Sequence, residues 1–146
     1  MAGYSGKPLA EKLGLKPGQR VGLLNAPIGY AAMVGPVLKQ VELVDPVRNP
    51  ISFLHIFVMT AADARRQIKK ARTLVADDGT IWISWPKKAS GWKTDVTEDT
   101  IRGAALSNDL VDVKVCAVDD TWSGLKLVVP VASRAKKTRA AGANRS

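Results

Sequence analysis

Three of the four tryptophans, Trp82, Trp85 and Trp92, fall within eleven residues of one another, beside Lys87, Lys88 and Lys93. Ammonium groups attract a phosphate or carboxylate, and an indole face suits a planar ring. Ser84 and Ser90 add hydroxyls, and Thr94, Asp95 and Thr97 lead into a predicted helix whose first amides favour anions. This stretch therefore reads as one wall of a binding pocket. The plainer alternative makes Trp82 a core residue and the lysines a solvated loop. Glu98 and Asp99 already complement the helix dipole and would repel an anion.

The other reactive residue types are sparse. Asp119-Asp120-Thr121-Trp122 offers two carboxylates beside an indole, but no His or third acid stands in local register, so turn formation is the expected role and no metal site is predicted. His55, the single histidine, lies in an apolar run with no nearby carboxylate and reads as a buried structural group. Cys116, the single cysteine, has no His partner in sequence and reads as an inert buried thiol. Arg65, Arg66, Lys69, Lys70 and Arg72 crowd one predicted helix. Together with the basic C-terminal segment they suggest weak, nonspecific nucleic-acid contact, against the bland reading of a solvated helix face.

These residues are positioned by alternating elements. A short helix capped by Ser5, with Pro8 in its first turn and Leu9 and Leu13 as its stripe, ends at Gly14. Residues 20–25 form a strand, 28–34 a weak helix stopped by Gly35-Pro36, and 41–44 a second short strand. The most apolar run, residues 51–58, is a central strand. Thr60 caps a helix through about Val75, with Asp63 placed as in a capping box. Asp77-Asp78-Gly79 reads as a turn before a strand over 80–85. The next helix starts at Thr97, where Val96 and Ile101 can form a hydrophobic staple. Residues 111–118 alternate and return through a turn as a partner strand over 125–129.

Such alternation predicts an α/β, Rossmann-like three-layer domain: a mainly parallel sheet closed by a C-terminal antiparallel hairpin. Ligands in such sheets sit at the carboxyl ends of the strands, here marked by Asn25 to Tyr30, Asp45, Thr60, and Trp85 to Trp92. The predicted binding residues are Asn25, Asp45, Trp85, Lys87, Lys88, Ser90 and Thr97.

The order of elements resembles a shortened class I adenosylmethionine-dependent methyltransferase. The points of resemblance are Leu74-Val75-Ala76-Asp77-Asp78-Gly79-Thr80-Ile81, the terminal hairpin, and Asp45, which stands where an acid would bind a ribose. The first loop, Asn25-Ala26-Pro27-Ile28-Gly29-Tyr30, departs from the glycine-rich pattern, and Pro27 removes a backbone donor. The chain is also short by at least one strand–helix unit. The resemblance implies adenosylmethionine as cofactor and a degenerate methyltransferase as one reading. The strings Gly3-Tyr4-Ser5-Gly6, Leu24-Asn25-Ala26-Pro27, Ser84-Trp85-Pro86-Lys87-Lys88-Ala89-Ser90-Gly91, Thr94-Asp95-Val96-Thr97-Glu98-Asp99 and Val115-Cys116-Ala117-Val118-Asp119, with Thr121-Trp122-Ser123-Gly124-Leu125-Lys126, resemble a family of short bacterial proteins of unknown function. That family implies a bacterial cytoplasmic protein and brings no activity.

Composition sets the outer bounds. The 146 residues suit one core, and 46% hydrophobic with 24% charged residues is the balance of a folded globular chain. The 22 Lys and Arg against 13 Asp and Glu give +9. Five of those cations, Arg134, Lys136, Lys137, Arg139 and Arg145, lie in the acid-free end, so the body to residue 133 carries only +4. Residues 1–131 therefore read as the domain and 132–146 as a basic, disordered tail. A lone cysteine excludes an internal disulfide and points to a reducing, cytoplasmic setting. No opening signal-peptide core and no run long enough for a bilayer is seen. The leading expectation is a domain that binds an anionic or nucleotide-like small molecule without demonstrable catalysis. A degenerate methyltransferase and an accessory protein binding RNA or a larger assembly are the alternatives.

Overall fold

The computed structural model describes residues 7–134; Ser5, the string from Gly3 to Gly6 and the segment after Arg134 lie outside the described residues. Six strands form one sheet in the order β2-β1-β3-β4-β6-β5. They are β1 (Arg20–Leu24), β2 (Glu42–Leu43), β3 (Ile51–Phe57), β4 (Val75–Pro86), β5 (Val111–Ala117) and β6 (Trp122–Val128). The first four pair parallel, while β6 runs antiparallel to both β4 and β5. The terminal hairpin thus inserts its second strand into the sheet and leaves β5 at the edge, itself parallel to β4. No strand lies beyond the two-residue β2 among the described residues.

Helices cover both faces, which completes the three-layer architecture. Strands β3 and β4 are apolar on both sides, so each face carries its own core. On one face α3 (Ala61–Leu74) and α4 (Glu98–Ser107) bury Ala64, Ile68, Ala71, Ile101 and Ala105 against Leu54, Ile56, Ile81, Ile83 and Trp85. On the other, α1 (Leu9–Leu13), α2 (Tyr30–Val34) and a 3-10 turn at Pro36–Gln40 cover Val21, Phe53, Phe57, Trp82 and Trp122. Gly14 ends α1 in the left-handed region, at φ 78. The Trp82 indole N–H donates to the Leu13 carbonyl at 2.8 Å, tying that helix to the sheet.

Three local expectations are corrected. Asp77-Asp78-Gly79 is not a turn between elements: α3 passes directly into β4, and the parallel register slips across this stretch, from Ile51↔Val75 to Phe53↔Thr80. Gly79 is required there because a Cβ would stand 2.7 Å from Val75 Cγ2 and 2.9 Å from the Ile51 carbonyl oxygen. The expected alternation of β5 breaks, with Val113, Lys114 and Val115 all exposed around a register slip between Asp112 and Lys114. The tail expected from residue 132 starts with a helical turn over 131–134, where Ser133 and Arg134 amides donate to the Pro130 carbonyl.

Candidate functional site at the strand ends

Four connections meet at the carboxyl edge of the parallel strands. β1 runs into Asn25, whose φ of 59 lies in the left-handed region, a conformation Asn accepts at less cost than most side chains. Ala26 to Gly29 then lead to α2, with the Tyr30 amide donating to the Pro27 carbonyl. Beside it, the Val44 amide donates to the Val21 carbonyl and Asp45 follows. Asn25 and Asp45 are both exposed, and neither side chain bonds to another described residue. Two free polar groups thus stand at the tips of adjacent strands.

The segment after β4 is pinned through its own hydroxyls. Ser90 Oγ donates to the Lys87 carbonyl at 2.7 Å and accepts from the Trp92 amide. Thr94 Oγ1 donates to the Met59 carbonyl at 2.6 Å, and Asp95 Oδ1 accepts from the Ala61 amide at 2.7 Å. This loop is thereby latched onto the start of α3. A cleft of about 410 Å³ opens between the two, lined by Met59, Thr60, Lys93, Thr94 and Asp95.

The latch also fixes what the helix ends can do. Thr60 accepts from the Asp63 amide and Asp95 from the Ala61 amide, so two amides of the first turn of α3 are capped; the Asp63 carboxylate accepts from Arg66 and Gln67 instead of closing the expected box. Thr97 and Thr100 form a reciprocal capping box on α4, and Glu98 and Asp99 pair with Arg102. Both helix starts are occupied by the protein's own side chains.

The predicted binding residues separate accordingly. Asn25 and Asp45 meet at β1 and β2, while Lys87 and Lys88 stand at the end of β4 with ammonium groups that pair with no described residue. Three strand spacings, about 14 Å, separate the β2 tip from the β4 tip. Trp85 faces the core under α3 and α4 beside Val96 and Ile101, Ser90 braces its own loop, and Thr97 is a cap. Two apolar side chains complete the edge, one from the Asn25 to Tyr30 turn that the sequence marked and one, Met59, that it did not single out. Ile28 and Met59 are exposed at the tips following β1 and β3. Trp92, expected in the pocket wall, is half exposed and lies edge-on against Trp122 at 5.4 Å.

Beneath the edge lies a buried polar chain. The Tyr30 hydroxyl lies 2.9 Å from His55 Nδ1, and His55 Nε2 lies 2.7 Å from Ser84 Oγ. Ser84, expected as a pocket hydroxyl, is spent here, fully buried. Burial pushes the His55 imidazole down to about 3, so it is neutral, and pushes the Tyr30 phenol up. The ring stacks on Phe57 at 4.4 Å, and Phe57 meets Trp122, which continues an aromatic column to Trp92. Cys116 is buried, and burial raises its thiol above the ordinary value. Asp119 Oδ1 accepts from the Thr121 and Trp122 amides, both at 2.8 Å, which makes it a turn residue. No group of three potential metal ligands, and no helix long and apolar enough to cross a membrane, occurs among the described residues.

A mixed sheet with an antiparallel strand inserted before the last and helices on both faces define a class of fold: a Rossmann-like three-layer domain with the strand layout seen in class I adenosylmethionine-dependent methyltransferases. Solved structures bear this out at the level of fold. An S-adenosylmethionine-dependent methyltransferase from Aquifex aeolicus superposes with a TM-score of 0.59 at 15% identity, covering 83% of this chain and 88% of its own. Aeropyrum pernix fibrillarin, in complex with natively bound S-adenosylmethionine, gives 0.54 at 15% identity over 86% and 70% of the two chains. The ribosomal protein L11 methylase of Lactobacillus delbrueckii subsp. bulgaricus gives 0.55 at 14% over 83% and 74%. No protein-family model and no curated protein sequence matches the chain.

Proposed function

We propose that this protein binds a nucleoside-type small molecule carrying an anionic group, with adenosylmethionine or adenosylhomocysteine as the ligand that best suits its edge. The observation carrying this reading is Asp45. It is an exposed carboxylate with no partner among the described residues, immediately past β2 and beside the left-handed Asn25 turn. A carboxylate there accepts from both ribose hydroxyls. The exposed Ile28 and Met59 side chains offer apolar surface to a purine, and Lys87 and Lys88 offer charge to the anionic end. The Asn25 turn suits the cofactor, whereas Pro27 supplies no amide to it.

Binding without transfer is the form of this proposal, in the cytoplasmic setting that the single cysteine suggests. A methyltransferase is the second reading, favoured by the fold. The test is thermal unfolding of the full chain against adenosylmethionine, adenosylhomocysteine, ATP, NAD and inorganic phosphate. A ligand at a hundredfold excess over its Kd adds about 2.7 kcal/mol. The reading expects a rise with the adenosyl ligands that disappears in Asp45→Ala. A rise with phosphate or ATP alone, lost in Lys87→Ala/Lys88→Ala, replaces the adenosyl ligand by a simple anion. No rise with any of them removes the small-molecule reading.

A further inference from the structure

The irregularity in β5 creates a cluster of charge away from the strand ends. The strand begins in one register with β6, Val111 opposite Val128 and Asp112 opposite Leu127. Continued unbroken, that register would set Lys114 opposite Leu125, on the side that packs beneath α4. Instead Val113 is passed over, and Lys114 stands directly opposite Lys126. Cys116, two residues on and opposite Gly124, belongs to the core beneath α1 and α2, which fixes the face. A bulge re-aims a side chain. Here it carries Lys114 to the α1 side and sets two ammonium groups against each other on neighbouring strands.

Directly opposed side chains start from Cβ atoms about 5 Å apart, and like charges so placed oppose folding. Lys114 is exposed and Lys126 half-buried, and neither bonds to another described residue. The acids on the surrounding elements do not relieve them. Asp112 falls on the α4 side, where it accepts from Arg102. Asp119 and Asp120 stand beyond the end of β5, and Asp119 accepts from two amides of its own turn. Glu11 is exposed, about 100° round α1 from Lys12.

A third ammonium group comes from α1. On its other side Lys126 is level with Trp82, whose indole N–H donates to the Leu13 carbonyl, so the end of α1 lies over this row with half-buried Lys12 beside it. The field at the Cys116 thiol agrees: burial raises the thiol, and the ammonium groups of Lys12, Lys114 and Lys87 pull it back. The row is four residues, about 13 Å, from Pro86 at the tip of β4, where Lys87 and Lys88 follow. A carboxylate brings one negative charge to such a cluster, whereas a phosphate monoester brings about −1.5 to −2 at pH 7 and three acceptor oxygens. We propose that Lys114 and Lys126, with Lys12, bind the phosphate group of a small molecule on the α1-side face of the terminal hairpin, independently of the strand-end edge.

The test is amide NMR of the full chain titrated at pH 7 and constant ionic strength with inorganic phosphate, and separately with acetate. The amides of Lys114, Cys116, Gly124 and Lys126 shift and saturate with phosphate, while acetate binds roughly tenfold more weakly or worse. Lys114→Gln/Lys126→Gln weakens phosphate binding roughly tenfold or more. Lys114→Glu does the same while its unfolding midpoint holds or rises, because Lys126 gains a cross-strand partner. The equally discharged Lys87→Gln/Lys88→Gln binds within about twofold of the unaltered chain. Glycerol 3-phosphate separates the two sources of the group, and either result upholds the site: binding as tight as phosphate or tighter assigns an organic ester, and weaker binding assigns the free ion. Absence of a saturating shift with phosphate, equal affinity for acetate, or undiminished binding by Lys114→Glu overturns the proposal. So does a loss in Lys87→Gln/Lys88→Gln equal to that in Lys114→Gln/Lys126→Gln, which moves the anion to the strand ends. A failure of the adenosyl ligands to bind alters none of these outcomes.

Discussion

Lowering the pH from 7 to 5 should destabilise this protein through one residue. His55 is fully buried between the Tyr30 and Ser84 hydroxyls and is the only histidine in the chain. Its folded value of about 3 lies below the 6.5 of the unfolded chain, so the unfolded state binds the proton first. The stabilisation is complete above pH 6.5 and is lost as the pH falls from there toward 3. Each pH unit costs about 1.36 kcal/mol, and the 1.5 units between 6.5 and 5 therefore remove about 2 kcal/mol. Histidine is the side chain whose ordinary value falls in that window, and the chain has one. Urea unfolding followed by tryptophan fluorescence at pH 7, 6 and 5 measures the loss, as a midpoint lowered by about 1 M for a slope near 2 kcal/mol/M. In His55→Gln the amide can still meet both hydroxyls but takes up no proton, so the pH dependence flattens. Tyr30→Phe lowers stability by about 1–3 kcal/mol at every pH, because Nδ1 loses its partner, and keeps the slope. Equal stability at pH 7 and 5, or an unchanged slope in His55→Gln, would refute the reasoning.

Two further outcomes test the scaffold around the edge. Gly79→Ala drives a methyl group against the Ile51 carbonyl and Val75, and lowers stability by about 1–3 kcal/mol in chemical denaturation. Asp95→Ala removes the acceptor from the Ala61 amide, costs about 1 kcal/mol, and speeds amide hydrogen exchange over residues 93–96 and at the start of α3, while the far end of α4 stays unchanged.

Much of the fold is written locally. The Thr60 and Thr97 caps, the Gly14 and Gly35 stops and the staple of Val96 with Ile101 are satisfied by neighbours within a few residues, and each is found where the sequence puts it. The apolar run of β3 and the alternation of strands with helices fix a sheet covered on both faces, and with it the edge where Asn25, Asp45 and Lys87 end their strands.

What that edge offers to a ligand was decided by pairings the sequence does not show. Ser84 meets His55 across 29 residues, Asp95 meets Ala61 across 34, and Trp82 meets Leu13 across 69. Each depends on the register between strands or on how a loop folds back, not on local preference. In β4 one step along the strand reverses the face, so Trp82 and Ser84 point toward α1 and α2 while Trp85 points under α3 and α4. Residue types alone place a hydroxyl and two indoles near the edge. Only the register, set by how Ile51 to Phe57 align with Val75 to Ser84, turns them inward and leaves Asn25, Asp45 and the lysines facing out.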